Sequence, residues 1–159
     1  MIKSKGRLKN YTTTIPIEKT IQEIEQILAK FGARSIYKMY DTNGEPTGLA
    51  FEVMVNEKPL GFKLPMRNDK VFQVFKNQNV EPRYKNMDQA KRTGWRIIKD
   101  WIDSQTAMMN VELVKLEEVF LPFLYDKKSD KTFFEMMEKK EFNLQLEGGN
   151  LDENKQRIN

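Results

Sequence analysis

The 159-residue chain contains no cysteine and no histidine. The first absence excludes disulfides and thiolate chemistry and suits a reducing compartment. The second removes the commonest general base and the commonest metal ligand, so a zinc site and a Ser-His-Asp or Cys-His hydrolase are excluded together. A Mg²⁺–carboxylate site survives that elimination. No run of about 18 apolar residues occurs, so neither a transmembrane helix nor a membrane partner is expected. The N-terminal MIKSKGRLKNYTTT is basic but lacks the apolar stretch of a signal peptide. The eight glycines are dispersed, with neither G-x-G-x-x-G nor G-x-x-x-x-G-K-[ST] among them. No catalytic residue, metal or cofactor is therefore assigned.

What is present is charge, unevenly placed. Residues 1–62 carry nine Lys/Arg and seven Asp/Glu, residues 63–99 carry ten and three, and residues 100–159 carry eight and thirteen. The middle segment, at +7, points to an anionic partner, or else to a solvated face paired with the acidic last third.

Periodicity predicts one α+β domain over residues 1–146. Residues 1–10, with Lys3, Lys5, Arg7 and Lys9 at alternate positions, read as a flexible basic arm. YTTTI (11–15) is β-branched and alternating, which predicts a strand. Pro16 suits the first helical position. Ile17, Ile21, Ile24, Leu28 and Phe31 form the stripe of an amphipathic helix that Gly32 ends. Ser35–Tyr40, Thr47–Val55 and Leu60–Leu64 alternate as strands, joined by Asp41-Thr42-Asn43-Gly44 and Asn56-Glu57-Lys58-Pro59 turns. Together they predict a three- to four-stranded antiparallel sheet packed by helices. A short helix over 67–78 follows, then a polar connection to residue 85.

The longest periodic stretch is NMDQAKRTGWRIIKDWIDSQTAMMNVELVKLEEVFLP, Asn86 to Pro122. It predicts one long central helix over about 87–121, with Asn86 and Gln89 as a capping box and Pro122 as the stop. At about 100° per residue, Gly94, Ile97, Ile98, Trp101, Ile102, Gln105, Met108, Met109, Leu116, Val119 and Phe120 share one broad face. Arg92, Arg96 and Lys99 fall opposite, with Trp95 beside them. Ala107, Val111 and Val114 continue that line as apolar residues and are candidates for self-association. Residues 131–142 predict a short C-terminal helix with Phe133, Phe134, Met137 and Phe142 inward, and 147–159 read as a disordered tail.

Two sets of residues could carry function. Asp100, Asp103, Glu117 and Glu118 are the possible Mg²⁺ ligands, although Arg96 with Asp100 and Lys99 with Asp103 read as ordinary i, i+4 ion pairs. The nine methionines, Met108, Met109, Met136 and Met137 among them, read as core filler at helical spacing. Arg83, Lys85, Lys91, Arg92, Trp95, Arg96 and Lys99, with Tyr84 among them, interleave cations and aromatics and make a candidate nucleic-acid-binding surface. Trp95 at the border of the apolar face reads as core-edge packing ahead of a stacking platform, because tryptophan carries so much apolar area.

Through YTTTIPIEKTIQEIEQILAKFGA, GLAFEV, GFKLP and QAKRTGWRIIKDWIDSQTAMMNVELVKLEEVFLPFL, about residues 10–125, the chain resembles a family of small phage and prophage proteins of uncharacterised role. The resemblance implies a phage-encoded protein in the host cytoplasm, among DNA-replication or recombination functions. The helix–three-strand–helix order of residues 17–78 is similar to that of double-stranded-RNA-binding domains, although of the basic residues that open such a module's second helix only a part, Arg67 and Lys70, is present. Fold order alone does not carry function. The expected function is a non-enzymatic nucleic-acid-binding accessory protein. The alternative is a protein-interaction module, either an inhibitor of a host or defence protein or a homodimer.

Overall fold

The computed structural model describes residues 6–142. Along them run α1 (Ile17–Lys30), β1 (Ser35–Tyr40), β2 (Pro46–Val55), β3 (Lys58–Lys63), α2 (Asn68–Asn77), α3 (Met87–Asn110), α4 (Leu116–Phe120), β4 (Tyr125–Asp126), β5 (Lys131–Thr132) and α5 (Phe133–Lys139). The α+β class, the antiparallel meander, the long helix and the short last helix all match the periodicities of the sequence.

Strands β1, β2 and β3 lie side by side in chain order. The register pairs Ile36 with Phe51, Phe51 with Phe62 and Val53 with Leu60, which puts these side chains on one face. In the first turn the Asp41 carboxylate accepts the Asn43 and Glu45 N–H groups, at 2.8 and 3.0 Å. The positive φ falls on Gly44 (+77°), where the missing Cβ makes it costless. The second turn carries Asn56 and Glu57 at φ 49° and 63°. Lys58 and Pro59, expected in that turn, belong to β3.

Helices α1 and α3 cover the sheet's inner face. Ile21, Ile24 and Leu28 meet Leu49, Phe51 and Phe62 from one side, and Trp95, Ile98 and Ile102 from the other. Phe120 closes the core edge-on to Phe51, with ring centroids 5.3 Å apart. A smaller cluster of Phe75, Val80 and Ala90 joins α2 to α3. The two helices approach closely there: a Cβ on Gly94 would stand 3.0 Å from Asn68 Oδ1 and 3.5 Å from Val71 Cγ2.

Four further points differ from the sequence reading, each with its own physical reason. The central helix stops at Asn110 rather than continuing to 121. Leu113 N–H reaches Met108 O and Glu112 N–H reaches Met109 O, both at 3.0 Å, with Glu112 at φ 58°. This pairing satisfies the last carbonyls, as glycine-terminated helices do, but with a glutamate at the left-handed position. Pro122 therefore lies beyond a second, five-residue helix, α4. At the N-terminus of α3, the Asn86 side chain accepts the Gln89 N–H at 2.8 Å, whereas the Gln89 side chain turns away from the cap. The last helix begins at Phe133, behind a Thr132–Glu135 capping box, and leaves Phe134 and Phe142 outside, 46% and 53% exposed.

The fourth difference is the N-terminal segment. YTTTI is turn and extended chain rather than a strand. Gln89 Nε2 donates to Tyr11 O and Thr13 O (2.9 and 2.8 Å), which takes the carbonyls a strand would need. The basic arm is likewise bound from Gly6 onward: Gln78 grips Gly6 O and Leu8 N–H, and Thr93 Oγ1 donates to Asn10 O. Residues 6–15 form a strap across α2 and α3. Residues 1–5 and the 147–159 tail lie outside the described residues.

Asp100 ties the strap's middle to α3. Its Oδ2 accepts from Asn10 Nδ2 and Lys9 Nζ, both at 2.9 Å. Burial pushes this carboxyl up, but the bonds from Asn10 and Lys9 and the charges of Lys9 and Lys99 outweigh it, leaving the group below its ordinary value. A carboxylate lowered on folding contributes stability above its unfolded pKa, and that contribution is lost as pH falls through the folded one. Asp100→Asn is thus expected to be less stable than wild type at neutral pH, with the gap closing on acidification below pH 4 or so. Thermal unfolding of both proteins across that range checks it.

Candidate nucleic-acid interface

The seven residues of the expected interface do not form one surface. Trp95 is 1% exposed, inside the main core, so no ring face is open to a base. Its burial corrects the stacking role and keeps the packing one. The cause is the packing of α1 and the sheet on this side of α3, which takes Trp95 into the cluster of Ile21, Ile24, Leu28 and Phe51.

Arg96, in the middle of the basic strip, faces α1 rather than solvent. Arg96 Nη1 donates to Glu23 Oε2 at 2.6 Å and to Thr20 Oγ1, and its side chain is only 13% exposed. Glu23, not Asp100, is its partner. Lys99 pairs with Asp103 at 3.3 Å, the i, i+4 contact expected from spacing. Lys91 reaches Glu45 on the first hairpin at 2.9 Å. Arg92 donates to Gln89 Oε1 at 2.6 Å, and its Nε is buried without a partner among the described residues. A hollow of about 290 Å³ beside Lys91 and Arg92 also holds Glu18, Glu45 and Asp88, whose charges oppose phosphate.

Arg83 and Lys85 stand elsewhere, on the turn before α3, and the fold brings other residues to them. The Arg83 guanidinium lies 4.6 Å over the Tyr84 ring. Tyr84 meets Tyr11 edge-on at 5.5 Å, and Arg7 lies 5.4 Å over Tyr11. Lys76 Nζ is 4.4 Å over Phe72. Phe72, Tyr84 and Tyr11 all pack against the Phe75–Val80–Ala90 cluster, so these cations share one end of the molecule. Lys85 Nζ donates to the neutral Asn79 side chain. Arg7 pairs with Glu81 at 2.6 Å and donates to Tyr11 Oη, and both contacts raise its pKa. Cations held over ring faces keep a fixed position, which suits phosphate neutralisation and stacking. Arg7 was visible in the alternating arm. Lys76 and Tyr11 were not, because only the strap's path joins them to Arg83.

Of the acidic candidates, Asp100 is paired with the strap and Asp103 with Lys99, while Glu117 and Glu118 stand apart in the first turn of α4. Among the described residues no group of three or more carboxylates converges as a metal site. The self-association set also separates. Ala107 and Val111 are exposed, Val111 at 66%, whereas Val114 packs against the main core beyond the helix end.

No protein-family model, curated protein or solved structure matches the chain. Among the described residues no helix is long and apolar enough to cross a membrane.

Proposed function

We propose that the protein is a non-enzymatic nucleic-acid-binding accessory protein whose contact surface is the Arg7, Lys76, Arg83 and Lys85 end rather than the face of α3. One observation carries the reading. Among the ten cations of residues 63–99, Lys91, Arg96 and Lys99 each have a carboxylate within 4.0 Å; of the seven that have none among the described residues, Lys76, Arg83 and Lys85 gather at one end, beside Phe72 and Tyr84. Lys76 and Arg83 over ring faces, with Lys85 beside them and the Glu81-paired Arg7 adjoining, hold fixed cations where a polyanion with flat bases can meet them. A place in phage DNA replication or recombination in the host cytoplasm rests on the resemblance of residues 10–125 alone.

The test is fluorescence anisotropy with labelled single- and double-stranded DNA and RNA at low salt. Lys76→Glu/Arg83→Glu/Lys85→Glu is expected to weaken binding by at least about tenfold. The control Lys127→Glu/Lys128→Glu, placed in the exposed β4–β5 loop, is expected to change it little. Equal losses in the two variants would remove the site assignment. A second reading, a module that binds a host protein, is favoured by the open cleft beside α5.

A further inference from the structure

A cleft of about 670 Å³ separates the β3–α2 connection from α5. Its floor is apolar and anchored: Leu64 is buried in the main core, and Met66 and Phe123 pack against it. Arg67 and Lys70 stand exposed on the α2 wall, and Glu135 and Glu138 stand exposed on the α5 wall. No ion pair within 4.0 Å joins the walls among the described residues, so opposite charges face the cleft without meeting across it. Glu135 is held in place by the capping box, its Oε2 accepting Thr132 N–H at 2.8 Å. The same cap sets the register that leaves Phe134 at the rim, 46% exposed, with the Phe142 ring 5.7 Å away.

We infer that this cleft docks a short segment of a partner protein. The segment carries one aromatic or leucine side chain seated over Leu64, Met66 and Phe123. An acidic side chain on one flank reaches Arg67 and Lys70, and a basic one on the other reaches Glu135 and Glu138. Charge complementarity selects this occupant, since only a ligand bearing both signs answers both walls. The carboxylates of α5 repel a phosphate backbone, which separates this surface from the nucleic-acid end and makes the inference independent of it. An apolar anchor bracketed by charges is a recurring mode of peptide recognition.

The test is selection from a phage-displayed random 12-residue peptide library on the full chain, followed by anisotropy of labelled winners. Enriched peptides are expected to share an aromatic or leucine residue bracketed by opposite charges. Phe134→Ser and Arg67→Glu/Lys70→Glu should each weaken them about tenfold or more. Replacing the peptide's acidic residue by lysine should restore affinity for Arg67→Glu/Lys70→Glu, which a folding defect could not produce. Lys76→Glu/Arg83→Glu/Lys85→Glu should bind them as wild type does. Enrichment without that pattern, or winners indifferent to both cleft variants, would overturn the inference. So would light scattering that shows a dimer dissociated by Phe134→Ser, since the occupant would then be a second copy.

Discussion

Trp95→Ala is expected to destabilise the fold by about 3–5 kcal/mol, the range for removing a large aromatic side chain from a packed core. The side chain is 1% exposed and lies in the cluster that joins α1, the sheet and α3, so little room exists for collapse around the void. Its Nε1 is buried without a hydrogen-bond partner among the described residues, so the loss is one of packing and apolar area rather than of a bond. In a chain of this length that corresponds to a fall in Tm of roughly 10 °C. Urea or thermal unfolding reads it directly. A tryptophan that stacked on bases would behave in the opposite way, leaving Tm near wild type and lowering affinity alone.

Gln89→Leu comes next in size. Gln89 is 4% exposed, and its side chain serves three partners: Tyr11 O, Thr13 O and Arg92 Nη2. Leucine fills a similar volume but leaves two carbonyls and part of a guanidinium unsatisfied. Stranded buried polar groups cost about 1–3 kcal/mol each, so a total of roughly 3 kcal/mol is expected after the strap relaxes towards water. The location is as informative as the size. Amide exchange should accelerate across residues 8–15 while the β2 amides keep their protection, because the strap opens as a local unit. Uniform acceleration throughout the chain would contradict a strap held chiefly by Gln89.

These two residues show where the sequence was legible. Strand alternation between Leu49 and Val55, the Ile21–Leu28 stripe and Gly32 are signals carried within a few residues, and the structure has them where the pattern puts them. Gln89 was read as half of a capping box because its long-range partners, Tyr11 O and Thr13 O, lie 78 and 76 positions back along the chain. Glu23 neutralises Arg96 across 73 positions, and a helical wheel of α3 alone shows only an open basic strip. The end of α3 was missed because Glu112 occupies a position where glycine is the usual signal. Of the candidate interface, Arg83 and Lys85 were legible from charge and an adjacent tyrosine, whereas Arg7 and Lys76 join them only through the strap's path over α2.

The salt dependence of nucleic-acid binding tests the central claim most directly. Each phosphate neutralised contributes about 0.7 to the slope of log K against log salt for a single strand and about 0.9 for duplex DNA. Wild type should bind with a slope of several units. Lys76→Gln/Arg83→Gln/Lys85→Gln should reduce that slope by roughly 2–3 units, with Tm unchanged. A slope that persists in that variant, or no binding by the wild type at low salt, would contradict the assignment of this end of the molecule as a nucleic-acid surface.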